Sequence, residues 1–573
     1  MIQYHVFFDS PNQHYIQFKA VFPVKNSETI LKISAWRPGR YELGNFAKNV
    51  RNFKVFNSEG ERIEFQKTDK SSWLIQSGNL EEIIVEYEYF AAELNAGSSF
   101  LDETQLYVNP VNCFLYSADF KDETYLINLS IPNDWKIACS LPSENKVLTA
   151  PNYEELADSP FICSANLSHN SYEVNGIIFH IWFNNHKHVD WNRLKTDFVK
   201  FTSKQLTDFT HFPASEFHYL IHSLPYSAYH GVEHLKSTVI TLGPSYEIFG
   251  ALYHELLGVS SHELYHVWNV KSIRPTTMLP YDFEKENYSK LGYVYEGVTT
   301  YLGDLYLLKS GVFNLGSFLK EFNKQLQKHF DNPGRFNYSL AQSSFDTWLD
   351  GYVAGAPGRK VSIYTEGCLL AFITDIKIRK VTNNQFGIEE VMKRLYFDFA
   401  QKGIGYSELD YRAILERVSG ESFEDYFSNY INGTQPYDSL INESLEYLGL
   451  ELIQQPSTSF VESKLGFKIL PKGKNAIVQS IYPESPSDIG GLSAGDEIIA
   501  VNGYQLNNDL DKWLKYFESD QKNLSLFRNG VLTEIQLIDN APKFYPIYEV
   551  RRKNEVSDNQ LKNLKSWGES GIF

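Results

Sequence analysis

The pentapeptide His262-Glu263-Leu264-Tyr265-His266 constrains this chain more than any other segment. It reads H-E-x-x-H inside a stretch with helical periodicity. Residues four apart on an α-helix share a face, so the two imidazoles can hold one metal ion. The glutamate between them points near the same face, where it can act on a water activated by that ion. The helix is expected from about 247 to 268, with Pro275 as its far limit. The competing reading is a chance string on a surface helix. His254-Glu255-Leu256-Leu257-Gly258 starts the same way, lacks the second histidine and reads as plain helix.

A zinc site needs a third protein ligand and an open position for water. No cysteine lies near the motif, so the search moves to carboxylates. Tyr295-Glu296-Gly297-Val298-Thr299-Thr300-Tyr301 opens the next strong helical pattern, expected from Glu296 through Leu308. Glu296 stands 30 residues after His266 (296 − 266). From an antiparallel helix its carboxylate can return to the metal. That gives His262, His266 and Glu296 as ligands of Zn2+, with Glu263 as the general base that takes a proton from water and passes it to a leaving amine.

Composition narrows the context. A chain of 573 residues is too long for one ordinary domain. Its 53 Lys and Arg against 70 Asp and Glu give a net charge of −17. Such a chain, with no basic cluster, offers no electrostatic footprint for nucleic acid or an anionic membrane. No apolar run is long enough to span a bilayer. None of the four cysteines forms a CxxC pair, which excludes a zinc ribbon or redox couple. So few cysteines, with no visible leader, place the chain in the cytoplasm by expectation. The periplasm is the alternative if a signal peptide has been removed.

The expected fold class is multidomain α+β. Residues 1–168 read as a β-sandwich, from alternating stretches such as Ile16–Phe22 and Ile83–Phe90 set between turn clusters. Residues 169–445 begin with strands near 176–183 and 216–222 and then turn mainly helical, with further helices expected at 363–381 and 387–399. Residues 446–542 return to short strands. There the run Ser485–Gly503 resembles the S-P-A-x-x-A-G-L-x-x-G-D-x-I-x-x-V-N-G segment of PDZ domains. Leu465-Gly466-Phe467 is the expected carboxylate-binding loop of that domain, with Leu448-Gly449-Leu450 as its competitor. The partner implied is a C-terminal peptide, added as a strand beside the loop. Residues 543–573 read as a polar tail, helical around 560–567.

The segment from His262 to Pro275 resembles the H-E-x-x-H-x-W-N-V-K-R-I-R-P signature of the glycyl aminopeptidase family. These are gluzincin metallopeptidases with an N-terminal β domain, a thermolysin-like catalytic domain and a PDZ domain. Ala35–Tyr41 is similar to the family's W-x-P-G-x-Y, and Glu296–Tyr301 matches E-G-x-T-x-Y, whose Glu is the third zinc ligand. Tyr229–His234 is similar to Y-G-G-L-E-H on an edge strand of the cleft. The resemblance assigns Gly231 and Glu233 to substrate binding, with Glu233 receiving the α-ammonium of a peptide. Ser362–Gly367 resembles S-Y-Y-x-K-G, which makes Tyr364 the candidate for stabilising the oxyanion. Four positions depart from the pattern: His230 for Gly, Ser272 for Arg, Ile363 for Tyr and Glu366 for Lys.

The function implied is a zinc aminopeptidase acting on peptide substrates with small N-terminal residues, Gly or Ala. Two alternatives stand beside it. One is a zinc endopeptidase with no need of a free N-terminus. The other is a PDZ-centred peptide-binding protein with little peptidase activity.

Overall fold

The computed structural model describes residues 1–353, 355–518, 520–538 and 543–572. The chain divides into two compact units, one of residues 1–321, 332–448 and 557–573, the other of residues 322–331 and 449–556.

In the first unit, the N-terminal residues form a β domain. Tyr15–Pro23 alternates buried and outward side chains, and so does Glu82–Phe90. This period-2 pattern gives each strand one apolar face. The two pair antiparallel within a seven-stranded sheet. A four-stranded and a three-stranded sheet complete the domain, and aromatic side chains including Tyr4, Phe18, Tyr87 and Phe114 fill its core. The four cysteines are buried.

A five-stranded sheet follows, in the order Leu167–Val174, Ile177–Asn184, Glu216–Ser223, Ser237–Gly243, Ala228–Glu233. The helix Trp191–Phe209, capped by the Asp190 side chain, makes the crossover between the two parallel strands Ile177–Asn184 and Glu216–Ser223. Ala228–Glu233 is an edge strand, antiparallel to Ser237–Gly243.

The rest of this unit is helical. The motif helix spans Tyr253–Tyr265, shorter than its expected 247–268. Ser245–Glu247 forms a separate 3-10 turn. At the other end the chain turns after His266, where the Lys271 N–H takes the His266 carbonyl. The next helix differs more. Its first turn, Tyr293–Val298, is π-helical, and the α-helix proper is Thr299–Lys309. Ile363–Val381 forms the expected helix, capped by Ser362, and Ile388–Asp398 forms another.

The second unit contains a sheet in the order Phe467–Lys472, Asn475–Ile481, Glu497–Val501, Lys522–Arg528, Val531–Leu537. A two-stranded ribbon of Leu450–Gln455 with Ile547–Arg552 accompanies it. The limit expected at 542 lies outside the described residues. The segment 543–573, expected as one polar tail, belongs to both units. Ile547–Arg552 is a strand of the second. The helix Asp558–Gly568 belongs to the first, where Trp567 is fully buried and donates to the Tyr301 hydroxyl at 2.8 Å. Among the described residues no helix is long and apolar enough to cross a membrane.

Candidate active site

The motif helix presents His262 and His266 on one face, tied by the His266 N–H to His262 carbonyl bond. His266 Nδ1 lies 2.6 Å from the Asn269 carbonyl. A carbonyl only accepts, so Nδ1 carries a proton and Nε2 is the nitrogen that would give its lone pair to a metal ion. That lone pair faces His262 Nε2 at 3.0 Å and Glu296 Oε2 at 3.4 Å, and His262 Nε2 lies 4.0 Å from the same oxygen. Two imidazole nitrogens and a carboxylate oxygen converging at these separations fit the first shell of a tetrahedral zinc ion, at about 2.0–2.2 Å per bond. The donor set therefore suits the metal.

Electrostatics agree with that geometry. Burial and the neighbouring His266 push the His262 pKa well down, which keeps it neutral. Burial would also depress His266, but the carboxylates of Glu233, Glu296 and Glu263 outweigh it and hold its pKa at about 10. Burial raises Glu296 and pushes Glu263 well up. Several buried carboxylates converging on the centre are balanced only by a strong cation.

Glu296 is positioned by the π-helical turn. Asn269 Nδ2 donates to the Val294 carbonyl at 2.8 Å and to Thr299 Oγ1 at 3.0 Å, which braces that turn from both ends. Gly297 and Gly367 meet with no side chain between them, and a Cβ on Gly367 would stand 2.7 Å from the Gly297 Cα. This contact brings the helix Ile363–Val381, and Tyr364 at its start, against the Glu296 turn. Tyr41, from the β domain, donates to Glu296 Oε1 at 3.1 Å.

The edge strand supplies Gly231 and Glu233. A Cβ on Gly231 would collide with Glu263 Oε1, so the strand backbone lies directly on Glu263. Glu233 is 4% exposed, and its Oε1 has no hydrogen-bond partner among the described residues. An oxygen of Glu233, one of Glu263 and a nitrogen of His266 lie within 4.8 Å of one another. Glu233 is thus a buried carboxylate of the centre and not a solvated strand charge.

The Peptidase M61 N-terminal domain family matches residues 3–165, the M61 glycyl aminopeptidase family residues 255–370 and the PDZ domain family residues 453–511. The chain thus matches both the N-terminal and the glycyl aminopeptidase domain models of M61. An aminopeptidase N family protein from Idiomarina loihiensis has the same fold at 24% identity, covering 99% of this chain and 100% of that one with a TM-score of 0.91. A mutant M1 zinc metallopeptidase from Deinococcus radiodurans bound to a Tyr-Ser-Ala substrate gives 12% identity and a TM-score of 0.46 over 76% of this chain and 94% of that one. A comparison with curated proteins finds no match.

The Tyr364 side chain is half-buried beside Glu296, Tyr352 and Glu233, and desolvation with those neighbours pushes its pKa well up. It remains a neutral donor. The departures from the family pattern fall around the centre. His230, depressed to about 3 by burial and then by Arg37 and Arg40, is neutral. Ser272 Oγ bonds the Val267 carbonyl, and Glu366 accepts from the Tyr437 hydroxyl.

Sequence reasoning assigned no role to Tyr41, Asn269 or Asp158. Tyr41 and Asn269 sit inside quoted motifs, but their partners are remote in sequence. Asp158 joins three strangers: Lys271 Nζ at 2.7 Å, His234 Nδ1 at 3.0 Å and the Leu235 N–H at 2.8 Å. It fixes the β domain to both the motif loop and the edge strand.

In the second unit Leu465 ends the short turn Val461–Leu465, and Phe467 opens the edge strand. Leu465 and Phe467 are fully buried in the PDZ core. The Gly466 N–H is taken by the Glu462 carbonyl. The competing Leu448-Gly449-Leu450 is closed off: Leu450 enters the ribbon, and the Gly449 carbonyl accepts the Lys553 N–H.

Proposed function

We propose that this zinc aminopeptidase removes single residues from peptides with a free N-terminus, with Glu263 as general base. Bound zinc lowers the pKa of a water and polarises a carbonyl. His262, His266 and Glu296 would hold the ion. The high proton affinity of Glu263, buried against Glu233 and Glu296, suits a group that takes a proton from water and returns it to the leaving amine. Tyr364, a neutral donor beside Glu296, would steady negative charge on the carbonyl oxygen.

The observation that carries the exopeptidase reading is Glu233, buried by the base and His266 with an unpartnered oxygen. A buried anion without a partner is costly, and a substrate ammonium would neutralise it. It would also fix the scissile bond one residue away. An endopeptidase has no use for such a group. The complete zinc donor set counts against a PDZ-centred role, and Leu465-Gly466-Phe467 at an edge strand is offered as the place for a C-terminal peptide. The family name supports small N-terminal residues, Gly or Ala.

The test is a matched peptide pair beginning Gly-Ala, one free and one acetylated, followed by mass spectrometry. Loss of single residues from the free peptide alone is expected. Internal cuts in both would overturn the reading.

A further inference from the structure

Among the described residues three arginines are buried, and two of them are neutralised. Arg274 pairs with Glu154, and Arg379 pairs with Asp375 and Glu389. Arg37 is the exception. It is 4% exposed and forms no ion pair among the described residues. Its side chain donates one hydrogen bond, from Nη1 to the carbonyl of the adjacent Pro38 at 3.4 Å. A guanidinium carries five N–H donors, so most of them have no acceptor among the described residues. Burial depresses its pKa, and the pull of Glu233 does not make up the difference. A buried charge in that state calls for an anion.

Arg37 lines a cavity of about 380 Å³ in the β domain, with Arg40, Lys48, Gly97, Ser99 and Asn112. The cavity is separate from the peptidase centre, since none of His262, Glu263, His266, Glu296 or Glu233 borders it. Its walls also carry Glu42 and Glu93, but both are engaged. Glu42 pairs with Arg40, and Glu93 accepts from Asn95 Nδ2 at 2.6 Å. Arg37 and the exposed Lys48 remain, two cations on one cavity with no ion pair among the described residues. The backbone does not compensate them. Gly97 packs on the guanidinium, where a Cβ would stand 2.1 Å from Cζ, yet its carbonyl is taken by Asn112 Nδ2 at 2.9 Å. Arg37 and Arg40 fall on the two positions that the W-x-P-G-x-Y pattern leaves open, so this charge is a property of the chain and not of the pattern.

We propose that this cavity is a binding site for a small oxyanion, a carboxylate or a phosphate, with Arg37 as its anchor and Lys48 as a second cation. The fork of a guanidinium matches two oxygens of either group, and such charge-assisted bonds are the strong ones. The volume lies at the small end of ligand sites, which run from about 300 to 1,000 Å³. It suits a small organic acid or a phosphate ester. The same loop reaches the active site: two residues on, Gly39 adopts φ +86° and rests on Glu233, where a Cβ would stand 2.5 Å from Oε2. An anion on Arg37 thus fastens, from the β-domain side, the loop that covers Glu233. The site stands apart from the aminopeptidase reading and does not depend on it.

The experiment is titration calorimetry of the full zinc-loaded chain at low ionic strength, with inorganic phosphate and with succinate as probes. At least one is expected to bind once per chain, and the tighter of the two assigns the group. Binding should persist after a chelator removes zinc, because the cavity borders none of the zinc ligands. Arg37→Gln should weaken it by about tenfold or more, and Arg37→Lys should recover part, since an ammonium keeps the charge and loses the fork. Lys48→Ala probes the same cavity from an exposed position, and a smaller loss is expected there. The thermal midpoint of the native protein gives a reading that needs no variant: it should rise with anion concentration, beyond the effect of chloride at equal ionic strength. Failure of both probes to bind at millimolar concentration, binding that vanishes with the zinc, or binding unchanged in both Arg37→Gln and Lys48→Ala overturns the proposal.

Discussion

The Tyr41 hydroxyl donates to Oε1 of Glu296 at 3.1 Å, so a residue of the β domain orients a carboxylate of the proposed metal centre. The other carboxylate oxygen faces His266, which leaves it for the metal. Outer hydrogen bonds of this kind fix ligand orientation, and removing one costs about 10–100-fold in metal affinity. Tyr41→Phe should weaken zinc binding by about tenfold in competition with a chelator, with little change in thermal midpoint. Unchanged affinity would mean that the π-helical turn alone sets Glu296.

Glu233→Gln keeps the shape of the edge strand and removes its charge. Loss of one partner of a buried charged pair costs about 2–5 kcal/mol. The kcat/KM for free peptides should fall by about 100-fold, while an acetylated peptide stays as poor a substrate as before. A variant with native kinetics on free peptides would dismiss Glu233 as the ammonium anchor.

Tyr364→Phe removes a neutral donor beside Glu296 and Tyr352. A single donor to developing oxyanion charge is worth about 10²–10³ in kcat. The loss should appear in kcat with KM moved little. A raised KM with kcat unchanged would assign the tyrosine to substrate binding instead.

Asp158 gives a pH-dependent stability test outside the metal centre. Burial opposes its ionisation, but Lys271 and His234 outweigh burial and hold its pKa below the ordinary carboxylate value. A depressed folded pKa contributes stability above the unfolded value of about 3.9 and loses it as pH falls toward the folded value. Asp158→Asn should therefore destabilise the protein at pH 7 by about 3–5 kcal/mol. The gap between variant and native protein should narrow as pH drops below about 4. Thermal melts across pH read this directly, and a constant gap would rule out the ion pair as its source.

Much of this was legible in the sequence where the signal is local. The spacing of His262 and His266 is helical arithmetic, and Ser362 marked the start of a helix whose range, Ile363–Val381, matches expectation. Glu296 followed from the ligand count. The π-helical turn around it did not, because it depends on Asn269 bracing and on Gly297 meeting Gly367, a contact between segments far apart in the chain. The setting of Glu233 was equally hidden. The family resemblance names Glu233 for substrate binding, but its burial depends on the loop at Gly39, far away in the chain. The buried Trp567 was hidden in a polar segment because the residues it packs on come from elsewhere.

The most direct test of the account is turnover by Glu263→Gln at native zinc content. The amide preserves size and leaves His262, His266 and Glu296 intact, but it cannot take a proton from water. With one zinc per chain by elemental analysis, peptide release should fall by about 10²–10⁴-fold, the range of a lost general base. Near-native turnover in the zinc-loaded variant would contradict the account and require another base.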